Sequence, residues 1–253
     1  MRVVGIDPAP TKGLDTFDGS DRHIPLSGAR SFVHSLYSDQ GALVCWDAPL
    51  TGPPTAAVFG GEGTGSAFSQ RPIESFFSKS GTGFKTPPGI SVRPYAGCPH
   101  WALSRALLGL PRVGPYDADH EQLPLKLVTS GTPPTSGFHV VEVHPAVAIW
   151  LWCRERRDST ASWEYKKSAS VSDELWNLLL ANPDIERVLS GAGGDRPTSD
   201  DVLDARVAYA LGRLWLDRSG SVTLLGSADH GSFLLPQIAG MREAFTAFVA
   251  ESA

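Results

Sequence analysis

RVVGID, residues 2–7, and GALVCWD, residues 41–47, are two apolar runs that each end in a carboxylate, and the way they pair decides the fold. Between them GLDTFDG, residues 13–19, alternates apolar and polar side chains, a further extended piece follows, and GARSFVHSLYSD, residues 28–39, has helix-like apolar spacing. This order predicts a hairpin that feeds a crossover helix and returns to a strand parallel to the first. Such crossovers are right-handed and leave both strand C-termini on one sheet edge. Asp7 and Asp47 then become neighbours.

Residues 51–100 break the pattern. TGPP, GGEGTGS, SGTGF and KTPPG are too rich in Gly, Pro, Ser and Thr to sustain a regular element, although RPIESFFSKS, residues 71–80, reads as one short helix. HWALSRALL, residues 100–108, reads as helix, GFHVVEVHP, residues 137–145, as strand, and AVAIWLWCRERR, residues 146–157, as helix again. SVSDELWNLLLAN follows with Ser172 as its expected N-cap, then DIERVLSG and the clearest helix of the chain, PTSDDVLDARVAYALGRLWLD, residues 197–217. VTLLGS and SFLLP suggest short extended segments, and GMREAFTAFVAE a last helix. The expected fold is an α/β protein, one domain over residues 1–253, with a mixed sheet, helices on both faces and an inserted loop region at about 51–100 lying over the acidic edge.

Carboxylates inside apolar segments need a counter-charge, because an unpaired buried charge costs several kcal/mol or is neutralised by a shifted pKa. Asp7 alone could cap a turn in IDPAP, but Asp47 in WDAPL repeats its position one crossover later. Glu142 shares a strand face with His144, a pattern that a site and a half-wet edge strand would both produce. Asp201 and Asp204 are three residues apart and share a helix face, with Asp204 on the row of Val207 and Leu211 that should pack on the sheet. The helix dipole and N-capping explain an acid at Asp200 or Asp201, and Asp200 is the better cap candidate, whereas Asp204 is poorly explained by either. When carboxylates from separate strands and a helix converge, the simplest shared counter-ion is Mg²⁺ or Mn²⁺, which prefers oxygen ligands.

The 253 residues, 42% of them hydrophobic, suffice for a sizeable core, and no apolar run approaches the roughly 18–20 residues of a membrane span. MRVVGID enters a strand pattern directly, without the basic start and apolar core of a signal peptide, so the expected location is the cytoplasm. Cys45, Cys98 and Cys153 are odd in number and widely spaced, which argues against a disulfide scaffold or a zinc ribbon. A net charge of −5 argues against tight non-specific binding to phosphate backbones, yet a carboxylate cluster contributes to that total and bound metal would cancel part of it. Lys79, Lys85 and Arg93 form one local group of cations, and Arg154, Arg156, Arg157, Lys166 and Lys167 another. Lys79, Lys85 and Arg93 follow Asp47 in the insertion and are the expected phosphate ligands, while Phe76, Phe77 and Phe84 are available to pack on a base or to anchor the loop, with anchoring the favoured reading.

GIDPAP, VCWDAPL, RPIE, VEVHPAVA, DDVLDARVAYALG and the late FLLP, in this order over about residues 1–240, resemble the domain-of-unknown-function four-two-nine family, predicted nucleases of the ribonuclease H-like superfamily. The resemblance implies a nuclease that hydrolyses phosphodiester bonds of DNA or RNA with two metals held by carboxylates. Its roles fall on Asp7, Asp47 and the pair Asp201 and Asp204, a pairing that Holliday-junction resolvases of the same superfamily also carry on their late helix. Asp7 would bridge the metals, Asp47 and Asp204 would hold one each, Asp201 or Glu142 would complete a shell, and His144 could shuttle a proton. Two rivals stand beside this reading. One is a binding module that kept the fold and satisfies its carboxylates with Arg, Lys and backbone N–H groups; the other is a phosphotransferase of the related actin-like and sugar-kinase fold, for which DHGSFLLPQIAG is poor in Gly.

Overall fold

A computed structural model describes residues 1–37, 41–51, 71–92, 99–111, 120–190 and 195–252. β1 (Arg2–Ala9), β2 (Gly13–Phe17) and β3 (Asp21–Pro25) form an antiparallel meander, α1 (Leu26–Ser35) crosses over, and β4 (Ala42–Trp46) returns parallel to β1 with Ile6 opposite Trp46. After α2 (Pro72–Ser78) and α3 (Pro99–Leu108) come β5 (Lys126–Leu127) and β6 (Phe138–Glu142), which extend the sheet on the far side of β4 in the order β3-β2-β1-β4-β6-β5. Helices α4 (Pro145–Cys153), α5 (Ala169–Leu180), α6 (Pro183–Ser190) and α7 (Asp200–Leu216) follow, then a two-stranded antiparallel ribbon of β7 (Val222–Ser227) and β8 (Gly231–Pro236), and α8 (Met241–Ser252). The fold is α/β, a mixed six-stranded sheet with eight helices among the described residues, consistent with a ribonuclease H-like arrangement. No described helix is long and apolar enough to cross a membrane.

The strand pleat sorts the core into two layers. Val3, Leu43, Cys45 and Val141 belong to the layer under α4 and α7, whereas Val4, Ile6, Val44, Trp46 and Val140 belong to the layer that contains α1 residues Ala29 and Val33 and α3 residues Leu107 and Leu108. Alternation along one strand therefore serves both layers, as expected for a sheet buried on both faces. By the same parity Asp7 and Asp47, one step beyond Ile6 and Trp46, turn to the α7 side. Glu142, the register partner of Trp46, turns to the other.

Helix α7 comes unusually close to β1 because Gly5 has no side chain. A Cβ at Gly5 would lie 2.1 Å from the Ala205 carbonyl oxygen and 2.4 Å from the Tyr209 backbone nitrogen. Gly212, two turns further on, makes the same room over Cys45 and Val3. Ser199 caps the helix, its hydroxyl accepting the Val202 N–H at 3.1 Å, so Asp200 is the first helical residue rather than the cap.

Three further boundaries differ from the sequence-based expectation. Ser168, not Ser172, caps α5, since the helix begins a turn earlier. The helix expected over 146–157 ends at Cys153, where Arg154 to Arg157 turn away as a polar segment. The two-residue strand β5 carries too little sequence to be read from a pattern. Phe76, Phe77 and Phe84 are buried in the core, Phe76 meeting Phe245 edge to face at 5.3 Å, and so anchor this part of the insertion as expected. Cys45 and Cys153 are buried free thiols; Cys98 and Arg93 lie outside the described residues.

Candidate metal centre

Asp7 near the end of β1, Asp47 just beyond β4 and Asp204 on the second turn of α7 bring carboxylate oxygens to within 4.8 Å of one another. Parallel pairing of β1 with β4 fixes the first two side by side, and the glycine contact of α7 on β1 delivers the third. Asp7 and Asp47 open on a cavity of about 680 Å³ whose wall includes Pro8, Pro49, Ile90, Glu164, Lys166 and Lys167. Gly89, Ile90 and Ser91 are the described residues of the insertion's second half that reach this wall.

The three carboxylates are not alike. Asp204 is fully buried and held from two sides: the Tyr165 hydroxyl donates to Oδ1 at 2.8 Å, and Lys166 Nζ lies 2.6 Å from Oδ2 as an ion pair without an aligned hydrogen bond. Burial pushes the pKa of Asp204 up, and Lys166 opposes that shift. Burial likewise raises Asp7 well above the usual carboxylate range, with the charges of Asp47 and Asp204 adding to the effect. Asp47 is raised by burial and then by Asp204, again against Lys166. Two full charges about 5 Å apart repel by roughly 3 kcal/mol at an effective dielectric of about 20, so one ammonium cannot offset three ionised carboxylates at this spacing.

Asp201 lies outside the trio. It lines the cavity, but its carboxylate is partly exposed and pairs with Lys12 at 3.2 Å. Glu142 also lines the cavity but lies outside the trio, and pleat parity is the reason. Its Oε2 accepts hydrogen bonds from the backbone N–H groups of Leu50 and Thr51, the Thr51 hydroxyl and Arg71, and Arg71 is further paired with Oε1 at 2.5 Å. With its oxygens already engaged, Glu142 serves an internal ion network rather than an open ligand position. His144 lines the cavity and packs edge to face on Phe233 at 5.3 Å, and burial pushes its pKa down to about 3, which favours the neutral ring.

Of the expected phosphate ligands, Lys79 and Lys85 are not at the cavity. Lys79 sits over the Phe248 ring at 5.6 Å and Lys85 donates to Ser80 at 3.2 Å, while neither lines the acidic pocket; Arg93 lies outside the described residues. Lys166 and Lys167, from the other cationic stretch, line it instead. The reason is that α2 packs into the core and carries Lys79 with it to α8. Sequence reasoning also passed over Tyr165, whose role depends on α7 lying beside the loop that carries it, and Asp15, which faces Asp7 across β1 and β2 and pairs with His23 at 3.2 Å. The alternation of GLDTF gives Asp15 a face but not that neighbour.

No curated protein matches the chain, and no solved structure does. A family model described as protein of unknown function (DUF429) matches residues 125–230, a shorter span than the resemblance over 1–240 implied. That segment carries Tyr165, Lys166 and Asp204, and Asp7 and Asp47 lie before it. The similarity to the DUF429 family thus covers residues 125–230, with one of the three clustered carboxylates.

Proposed function

We propose that the chain is a metal-dependent nuclease of ribonuclease H-like type, hydrolysing phosphodiester bonds of DNA or RNA at the Asp7, Asp47 and Asp204 centre with Mg²⁺ or Mn²⁺ as cofactor. The observation that carries this reading is the convergence of three carboxylates from two adjacent strand ends and one helix, with oxygens within 4.8 Å, of which Asp7 and Asp47 line an open cavity and Asp204 lies buried behind them. The donor set fits a hard divalent ion, being all oxygen, anionic and under-compensated. Asp7, Asp47 and Asp204 would hold the metal, with Asp201 at the wall as the further carboxylate that a second ion would require. When bound, the metal supplies an activated water at neutral pH and neutralises charge on the phosphate.

The protein's own groups do the rest. The Tyr165 hydroxyl fixes the Asp204 carboxylate through Oδ1 and leaves Oδ2 toward Lys166. Lys166 and Lys167 place positive charge on the cavity wall, where a substrate phosphate enters. Glu142, engaged with Arg71, holds the residues after Asp47 in place.

A second reading rests on the Lys166 ion pair. If that ammonium is a permanent counter-ion and the remaining carboxylates are held protonated by burial, the group needs no metal and the chain is a binding module. A phosphotransferase wants a duplicated core, and the described residues form one six-stranded sheet and one ribbon. Mn²⁺ titration by calorimetry, followed by incubation of single- and double-stranded DNA and RNA with Mn²⁺, separates the readings. Asp204→Asn is expected to lower metal-dependent cleavage at least about a hundredfold, because it removes an anionic ligand from the metal whose charge stabilises the transition state. Absence of Mn²⁺ binding to the wild type would leave the binding module.

A further inference from the structure

Lys166 stands on an anchored strap. Trp163 is buried, with the Arg157 guanidinium 4.7 Å from its ring, and Tyr165 is 2% exposed with its hydroxyl on Asp204. The backbone of Trp163 and Glu164 is so close to Gly89 that a Cβ there would lie 2.7 Å and 2.8 Å from it. The strap therefore cannot shift easily, but the Lys166 side chain is 47% exposed and only its ammonium end is engaged. That end lies in the field of all three carboxylates, with Asp204 acting most strongly and Asp47 and Asp7 after it.

A divalent ion and an ammonium cannot share this position. The carboxylates that would bind the metal are those that hold Lys166, and the two cations would repel at the distances of this group. A lysine is a point charge on a flexible four-carbon stem, able to leave one anion for another without moving its backbone. The cavity lies next to it, lined by Lys166 and Lys167 together.

We propose, on the basis of the metal-site reading above, that Lys166 is an exchangeable internal cation. It occupies the carboxylate centre in the metal-free protein, metal displaces it, and the released ammonium turns into the cavity to meet a phosphate of the substrate. Metal and phosphate ester then bind with positive coupling, because each favours the same outward position of Lys166. The metal-free site stays closed to anions by the same ion pair.

The test uses the full chain and Mn²⁺ alone as probe. Lys166→Ala removes the competitor, so its Mn²⁺ dissociation constant is expected to be at least about tenfold lower than that of the wild type, equivalent to about 1.4 kcal/mol. Its metal-free Tm should fall, and its Tm gain on Mn²⁺ should exceed the wild-type gain. Lys166→Arg retains a cation and should stay near the wild-type affinity; Lys166→Gln replaces Lys166→Ala if the latter does not fold. Equal or weaker Mn²⁺ binding by the neutral variants overturns the exchange while leaving the metal site intact. Failure of both wild type and variants to bind Mn²⁺ overturns the exchange and the metal reading together. Tighter binding without any nucleic-acid cleavage supports the exchange and removes the nuclease assignment.

Discussion

Asp7 shows how a single carboxylate can be costly in one state and necessary in another. Its folded-state pKa is raised by burial and by the like charges of Asp47, Asp204 and Asp201, so in the absence of metal folding favours the protonated form. Stability from such a group is fully present below its unfolded pKa, roughly 4, and is lost as pH rises toward the folded value. The metal-free protein should therefore lose part of its Tm between about pH 4 and neutrality through the acidic centre, in addition to whatever other groups contribute. Asp7→Asn removes the share of that loss that Asp7 contributes, so thermal melts across this range should show a flatter alkaline side for the variant. The same substitution should abolish the Tm gain on adding Mn²⁺ at pH 7.5. A parallel pH profile in both proteins would mean that Asp7 is not charged against its neighbours.

Helix α7 brings the third carboxylate to the centre, and its seat on β1 decides where Asp204 points. Gly5→Ala would drive a methyl into the Ala205 carbonyl and the Tyr209 backbone, neither of which can yield as a side-chain tip could. The cost should be at least about 2 kcal/mol, in the upper part of the range for overpacked cores, read as a lower urea midpoint. Because the helix must lift, the folded variant should also lose Mn²⁺ affinity even though every carboxylate is retained. Ser199→Ala removes the hydroxyl that accepts from Val202 and should cost about 1 kcal/mol, while Asp200→Asn leaves that bond intact and should change stability less. Equal losses from the two would restore Asp200 as the cap.

Across the whole molecule, one buried network joins distant parts of the chain around the site. Arg71, 2% exposed, forms ion pairs with Glu74 and Glu142 and donates to Thr51, whose hydroxyl in turn accepts the Ser232 N–H at 2.9 Å. The residues after β4, the start of α2, the end of β6 and β8 are thereby held together. Breaking a buried pair by removing one partner typically costs about 3–5 kcal/mol, because the remaining charge is stranded. Arg71→Ala strands two carboxylates and is expected to fall at the upper end, measured as a drop in unfolding free energy by urea denaturation. A loss under about 1 kcal/mol would show that the network adds geometry rather than stability.

The order of apolar runs and turn residues in the first fifty positions was enough to predict the parallel pairing of β1 with β4, and with it the meeting of Asp7 and Asp47, because strand period and crossover handedness are local rules. Helical spacing likewise placed Asp204 on the inward row of α7. Glu142, Lys79 and Lys85 could not be placed in this way. Glu142 is set aside by its pleat parity relative to neighbouring strands, and Lys79 by the packing of α2 into the core, and both depend on which elements become neighbours. Tyr165 and Lys166 reach Asp204 across 39 and 38 positions of sequence, in a loop with no periodicity to read, and Arg71 reaches Glu142 across 71. Local pattern thus determined the strands, the late helix and the acidic residues they carry, whereas the choice between counter-charges was made only when the folded chain set lysine, tyrosine and carboxylate side by side, since electrostatic energy depends on distance in space and not along the chain.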